Sequence, residues 1–272
     1  MKKLKPKLID ELNELKQSRG ELYKFTTNFT LNLSLRMNSI QYILNEYKIK
    51  KIVDDTFKVS VGQYISSLIT CWETIFRDIV VFLVETDKLV YSRVCDYIKK
   101  KGSSEEEIVN KQITLGEYIS KQYNFQNLKE TNDVFNLLLN SSKETIFQQF
   151  DAKVESVIFT SPNYLMYLMQ EGNNIASELE EIISKAFTIR HKVIHDANYR
   201  YEFDSRNVAK IEDFLTVFPQ FVIISLAKRY KQQRMVFHRE DLTMRLTDCP
   251  NEKEVDLVLG PKDLKAQDYK VV

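Results

Sequence analysis

A repeat of apolar side chains between residues 65 and 83 constrains the fold of this chain more than any other feature. Apolar residues recur there every three or four positions: Ile65, Leu68, Ile69, Trp72, Ile75, Phe76, Ile79, Val80 and Leu83. An α-helix turns once every 3.6 residues, so this spacing places all of them on one broad face. A face of this width has to be buried. The pattern therefore predicts a long helix at the centre of a bundle.

The rest of the chain shows the same period and few signals that interrupt helices. Amphipathic patterns run from Leu8 to Met37, from Asn173 to Ile189 and from Asn207 to Tyr230, and Pro219 predicts a kink in the last of these. The 272 residues include only six glycines and five prolines. We therefore expect an all-α helical bundle, whose central helix continues to the cations and the glycine at 99–102.

Local signals mark shorter elements between these helices. Thr114 followed by Glu117 is a capping-box pattern, and residues 128–139 and 144–150 are helical candidates. The β-branched residues between Val154 and Thr160 predict an extended segment.

These patterns divide the chain into three parts. We expect a helical bundle at residues 60–232 and an N-terminal helical extension at 1–59 that packs on it. Residues 233–272 are polar and contain Pro250, Gly260 and Pro261. They predict a polar C-terminal tail, either loosely packed or forming a short accessory hairpin.

Charge and cysteine content exclude several classes of protein. Lys and Arg (39) nearly balance Asp and Glu (38), which disfavours a general nucleic-acid coat but leaves room for a local basic pocket. Cys71, Cys95 and Cys249 share no metal-binding spacing and are typical of a reduced, cytoplasmic protein. The longest apolar run, at 79–84, is too short to cross a bilayer, and polar residues from Asp10 onward exclude a signal sequence. We expect a soluble, cytoplasmic protein without a membrane partner.

The stretch from Arg190 to Asp196, Arg-His-Lys-Val-Ile-His-Asp, carries the clearest chemistry. It contains two of the three histidines in the chain, His191 and His195. An imidazole exchanges protons near neutral pH, and a guanidinium holds the charge that builds on a phosphate. An arginine beside a histidine is therefore sufficient to cleave RNA without a metal ion.

Three segments of the chain resemble the HEPN superfamily. Its ribonuclease members carry an Arg-X4–6-His motif with a polar residue directly after the arginine, as in Arg190, His191 and His195. Residues 69–78 (ITCWETIFRD) are similar to a central helix in several HEPN families, and residues 123–128 (YNFQNL) resemble the turn between their middle helices. The resemblance spans about residues 60–232 and implies a helical bundle of HEPN type.

The resemblance also implies a function. HEPN ribonucleases are metal-independent endoribonucleases, and the likeness points to a toxin or an antiviral abortive-infection effector. His195 would move the proton of a ribose 2′-hydroxyl or of the 5′-oxygen leaving group, and Arg190 would hold the phosphate. His191, Glu73 and Asp196 are expected to support the site, Glu73 by approaching Arg190. The products would carry a 2′,3′-cyclic phosphate and a 5′-hydroxyl, and no metal ion or cofactor is expected.

The spacing of the motif bears on the oligomeric state. Residues five apart on a straight helix point about 140° away from each other. Arg190 and His195 would therefore converge only if the helix is distorted or if a second copy completes the site. In HEPN enzymes two motifs face each other across an interface, so one motif per chain implies a homodimer.

Any control of such an enzyme would come from a separate partner, from dimerisation or from the C-terminal tail. Some HEPN toxins carry a tyrosine two residues beyond the motif histidine, which a paired enzyme modifies. This chain has Ala197 at that position and Tyr199 two residues further on. Neutralisation by that route is therefore not expected, and a separate antitoxin or sensor protein is one possible partner.

Other interpretations of the same residues remain open. The chain can be a catalytically silent HEPN-type module that binds RNA, nucleotide or a protein partner, or a helical adaptor outside the superfamily. His191 and His195 are spaced to face one metal ion with help from Asp196, but the sequence offers no matched third ligand. Glu73 and Arg77 can form an ordinary solvated pair on a helix face.

Overall fold

Helices make up most of the chain, and a small sheet accompanies them. The computed structural model describes residues 22–50, 54–110, 113–143, 145–149, 157–160 and 175–266. The helices are α1 (Leu22–Lys50), α2 (Asp55–Thr86), α3 (Lys88–Lys100), α4 (Glu105–Val109), α5 (Leu115–Gln122), α6 (Leu128–Leu139), α7 (Ile146–Gln149), α8 (Ile175–His195), α9 (Ser205–Tyr230) and α10 (Pro261–Ala266). The strands are β1 (Val157–Phe159), β2 (Arg234–His238), β3 (Thr243–Thr247) and β4 (Glu254–Val258).

The predicted central helix is α2, which packs against α1, α5, α8 and α9. Trp72 is fully buried in it, and its ring lies 4.3 Å from the ring of Phe76, 5.7 Å from Phe214 and 5.9 Å from Phe218. The Trp72 indole N–H donates a hydrogen bond to the Phe125 carbonyl oxygen at 3.1 Å. This aromatic cluster joins α2, α9 and the turn before α6 in one core.

The central helix is shorter than the sequence predicts. Its apolar period suggests one helix as far as residues 99–102, but the helix ends at Thr86 and α3 begins at Lys88. The Asp87 carboxylate causes the break, because it accepts hydrogen bonds from the backbone N–H groups of Leu89 (2.8 Å) and Val90 (3.2 Å) and so caps α3. The cations at the end of α3 and Gly102 stand where the sequence places them.

Several shorter elements follow the sequence signals closely. The capping box of Thr114 and Glu117 is present at the start of α5, and α6 covers residues 128–139 as predicted. The predicted extended segment contains β1, although residues 154–156 lie outside the described part of the chain. Helix α9 runs through Pro219 without ending. The predicted opening helix before Leu22 also lies outside the described residues.

The C-terminal segment contains the short hairpin that the sequence analysis allowed, formed by β2 and β3, but it is not a loosely packed tail. Strands β2, β3 and β4 join β1 in a sheet of order β1-β4-β2-β3, in which β1 and β4 are parallel and the other pairs are antiparallel. Val236 and Val258 are fully buried, and the Phe159 ring packs 5.8 Å from the ring of Phe221 on α9. The tail is therefore packed on the bundle. The buried side chains of these strands include charged or polar ones, Arg234 and His238 on β2 and Asp256 on β4, so the polar composition of the segment conceals its burial.

A buried ion cluster ties this sheet to the helices. Asp256 on β4 is 4% exposed, and its carboxylate lies 2.6 Å from the Arg234 Nε atom and 2.6 Å from the Lys228 Nζ atom on α9. The Gln220 side chain exchanges two hydrogen bonds with the backbone of Leu259, at 2.9 and 3.0 Å. Among the described helices, none is both long enough and apolar enough to cross a membrane.

Candidate functional site

The motif residues lie at the exposed C-terminal end of α8. This helix runs without interruption to His195, and the Asp196 backbone N–H still donates to the Lys192 carbonyl oxygen at 2.9 Å. Its buried side, which includes Leu179, Ile183 and Ala186, packs on the bundle. The helix is therefore not distorted at the motif.

Arg190 lies at the edge of the buried side and is held by two other elements. Its Nη2 atom is 3.5 Å from the Glu73 Oε1 atom on α2, and its Nη1 atom donates a hydrogen bond to the Gln126 side-chain oxygen. The Arg190 side chain is 16% exposed and the Glu73 side chain is 9% exposed. Glu73 is thus not part of a solvated helix face. Its carboxylate lies beside the Arg190 guanidinium.

The polar atoms of this pair are only partly satisfied. The Arg190 Nε atom and the Glu73 Oε1 atom are both buried, and neither has a hydrogen-bond partner among the described residues. Buried polar groups are normally hydrogen-bonded, so two adjacent buried atoms without a partner among the described residues are unusual. The pair keeps the guanidinium in one orientation, with only part of its edge exposed.

Gln126 was not predicted as a site residue, and a turn places it here. The Asn124 side chain accepts a hydrogen bond from the Gln126 backbone N–H at 3.0 Å, and the Asn124 backbone N–H donates to the Glu130 carboxylate at 2.8 Å. The bond from Trp72 to the Phe125 carbonyl fixes the same turn from inside. Gln126 belongs to the segment at 123–128 that carries part of the family resemblance, and this is the only signal in the sequence that could have identified it.

His191 and His195 lie one helical turn apart on the exposed side of α8. Their ring centroids are 4.6 Å apart and their planes are inclined by 48°. Asp196 follows directly and accepts a hydrogen bond from the Asn198 backbone N–H at 2.9 Å, so its carboxylate shapes the turn after the helix. Within the described residues, no group of three histidine, cysteine, aspartate or glutamate residues is arranged to hold a metal ion.

One chain does not bring Arg190 and His195 together. On an undistorted helix with 100° between successive residues, the two side chains point about 140° apart. Ile194 projects between them and is 51% exposed, although it is apolar. The exposed end of α8, which we call the motif face, thus has Arg190 on one flank, Ile194 in the middle and the two histidines on the other flank.

The position of the motif face is fixed by close packing of α8 on α2. Gly62 of α2 allows this approach, since a Cβ atom added there would lie 2.9 Å from the Val193 Cγ2 atom. A larger residue at this position would push the motif end of α8 outward.

No protein-family model, curated protein or solved structure matches this chain.

Proposed function

We propose that the chain is a metal-independent endoribonuclease of HEPN type, and that two copies build one active site from their motif faces. The observation that carries this proposal is the motif face itself. An arginine held by Glu73 and Gln126 flanks an exposed apolar residue, and a pair of exposed histidines flanks the other side. Two such faces related by a twofold axis place the Arg190 of one copy opposite the histidines of the other.

Within one chain the Arg190 and His195 side chains point in different directions, which supports an active site built by two copies. Arg190 and His195 of the same copy cannot reach one phosphate, because they leave the helix in different directions. An isologous contact around Ile194 would bury its apolar side chain and join the two flanks. The solvent-exposed isoleucine and the split motif then have one common explanation.

The proposed reaction is a transesterification at phosphorus. His195 takes the proton of the ribose 2′-hydroxyl, and the 2′-oxygen attacks the adjacent phosphorus. The bond from phosphorus to the 5′-oxygen breaks, and a protonated histidine of the second copy supplies the proton that this oxygen needs. The products are a 2′,3′-cyclic phosphate and a 5′-hydroxyl, and no electrons are exchanged with any cofactor.

Arg190 would stabilise the phosphate as its negative charge increases. A guanidinium has five N–H groups, and the contacts with Glu73 and Gln126 involve one terminal nitrogen each. The phosphate would approach the exposed part of the guanidinium and accept hydrogen bonds from the remaining N–H groups of these nitrogens. Because the side chain is already held in place, little ordering is required when RNA binds.

A second candidate function is a catalytically silent module that binds RNA or a protein partner. The same contact favours it, since an arginine paired with Glu73 can be a structural ion pair. The undistorted α8 also agrees with it, because no catalytic cluster forms in one chain. The two candidates differ in whether a dimer forms at Ile194 and whether that dimer cleaves RNA.

Replacing Ile194 by lysine tests the composite site. Ile194→Lys places two like charges near the twofold axis, so we expect the dimer to weaken about 10-fold or more and RNA cleavage to fall with it. Light scattering after gel filtration measures the dimer, and a labelled RNA measures cleavage at the same protein concentrations. The added positive charge favours RNA binding, so weaker attraction of the substrate cannot explain a loss of cleavage.

Leu89→Lys is the matched control for this experiment. Leu89 is 71% exposed and lies on α3, far along the chain from the motif. We expect this variant to keep both the dimer and the cleavage. Full cleavage by a monomeric Ile194→Lys protein would overturn the composite site.

A further inference from the structure

A groove lies along the part of α8 that leads to the motif, and the proposed chemistry does not use it. One wall is α8, and the other is the segment 199–204 that leads into α9. Its volume is about 600 Å³, which is within the range of small-ligand sites. We call it the α8 groove.

The α8 wall is continuous with the motif. Lys185, Thr188 and Lys192 line the groove, and His195 follows at the next position of the same stripe. Steps of three and four residues keep these side chains on one side of the helix. The stripe is about 15 Å long at 1.5 Å per residue, and it ends at the proposed catalytic histidine.

The opposite wall is aromatic. The Lys192 ammonium lies 5.5 Å from the centre of the Tyr199 ring, and Phe203 is 36% exposed. The Phe203 ring packs in a T-shaped arrangement with the Phe57 ring, with centroids 4.9 Å apart, and this contact holds it in place. Aromatic faces of this kind accept unstacked nucleic-acid bases.

Tyr201 lines the groove and is the most deeply buried of its aromatic residues. It is 5% exposed, and its hydroxyl group lies near the backbone N–H of Asp204. Burial, followed by the nearby Asp204 carboxylate, raises the pKa of Tyr201 to about 12, so the hydroxyl keeps its proton at neutral pH.

The charged residues of the groove differ in whether they form ion pairs or hydrogen bonds with other residues. Arg200 lies 3.7 Å from Asp55 and donates to two backbone carbonyls, while Asp204 caps α9. Lys185 and Lys192 form no ion pair with any residue in the described ranges, and Glu202 is exposed at the rim. Among the described cations that line the groove, these two lysines are the ones without a carboxylate partner.

We propose that the α8 groove binds the single-stranded RNA next to the cleaved phosphate. This inference rests on the proposed function, because it uses His195 to place the reacting bond. Lys185 and Lys192 contact successive phosphates, and an unpaired base stacks on Tyr199 or Phe203. A duplex cannot present its bases to these rings, so the substrate class is unpaired RNA, such as a loop or a free strand.

The test measures binding separately from cleavage. A fluorescein-labelled 2′-O-methyl RNA strand lacks the reacting hydroxyl, so fluorescence anisotropy reports its binding to the full-length wild-type protein without any cleavage. We expect the strand to bind more tightly than its own duplex. Lys185→Ala combined with Lys192→Ala should weaken binding at least about 10-fold. The slope of the logarithm of the binding constant against the logarithm of the salt concentration should fall in magnitude by about 1.4, because each of two single-strand phosphate contacts contributes about 0.7.

Matched variants control for charge and for folding. Lys99→Ala combined with Lys100→Ala removes the same charge at the end of α3 and should leave the affinity nearly unchanged. Tyr199→Ala should weaken binding by about 5-fold to 100-fold through lost stacking, while Tyr42→Ala, at a residue that is 72% exposed on α1, should not. Thermal melting verifies that each variant is folded. Equal losses in the two lysine pairs, or equal binding of strand and duplex, would overturn the inference.

The outcomes separate this inference from the proposed function. Cleavage that depends on His195 but is indifferent to the groove variants would refute the groove and leave the nuclease. Binding that depends on the groove in a protein that never cleaves RNA would refute the nuclease and leave the groove.

Discussion

His195→Ala is expected to slow RNA cleavage by about 10²-fold to 10⁴-fold, which is the usual contribution of a general acid or base. The side chain is exposed at the end of α8, so its removal leaves no cavity and should not change the stability. Single-turnover cleavage of a labelled RNA, at saturating protein, measures the rate of the chemical step. Binding of the 2′-O-methyl strand should remain within a few-fold of wild type.

His191→Ala is the matched control for His195→Ala. The two rings belong to the same residue type, lie on the same exposed side of α8 and are 4.6 Å apart. In the proposed mechanism His191 supports the site without moving the proton of the 2′-hydroxyl. Its loss should therefore reduce the rate less than about 10-fold. Equal rates for wild type and His195→Ala would exclude His195 as the proton carrier.

Trp72→Ala is expected to lower the free energy of unfolding by about 3–5 kcal/mol, the range for removing a large aromatic side chain from a core. Trp72 is fully buried against Phe76, Phe214 and Phe218, and its removal also leaves the Phe125 carbonyl without its donor. Urea unfolding followed by circular dichroism measures the change.

Tyr42→Ala serves as the control for the core variant, because Tyr42 is 72% exposed on α1. Its free energy of unfolding should change by less than about 0.5 kcal/mol. A loss below about 1 kcal/mol for Trp72→Ala would mean that the aromatic cluster is not the centre of the fold.

The sequence predicts a helix correctly where the spacing of apolar residues and the capping residues indicate the same helix. Thr114 and Glu117 form a capping box, and residues 128–139 form the predicted helix, because local signals fix both ends. The break at Asp87 is not visible in the apolar pattern, since the period continues on both sides of a single capping carboxylate. Local hydrogen bonding prevails there over the hydrophobic period.

The sequence predicts the extended segment that contains β1 and allows a C-terminal hairpin, but it does not predict that these join β4 in one packed sheet. Strand β2 alternates between buried Arg234 and Val236 and exposed Met235, so its pattern has a period of two over only five residues. The buried arginine depends on Asp256, which is 22 residues further along the chain. A polar composition with a long-range ion pair gives no local signal of burial.

The candidate site was predictable in part. The spacing of Arg190 and His195 singles out these two residues as candidates, and helix geometry alone gives the divergence of the two side chains. The partnership of Arg190 with Gln126 joins residues 64 positions apart through a turn, so no local pattern reveals it. The sequence does not predict the α8 groove either, because the groove forms only where the fold places the segment 199–204 beside Lys185 and Lys192.

RNA cleavage by the purified protein in the presence of EDTA, with chemical mapping of the product ends, tests the central claim most directly. The account predicts that a dimer cuts unpaired RNA without a metal ion and leaves 2′,3′-cyclic phosphate and 5′-hydroxyl ends. Cleavage that EDTA abolishes, or that leaves 5′-phosphate ends, would contradict the transesterification at Arg190 and His195. A folded dimer that cleaves no unpaired RNA would contradict the nuclease itself.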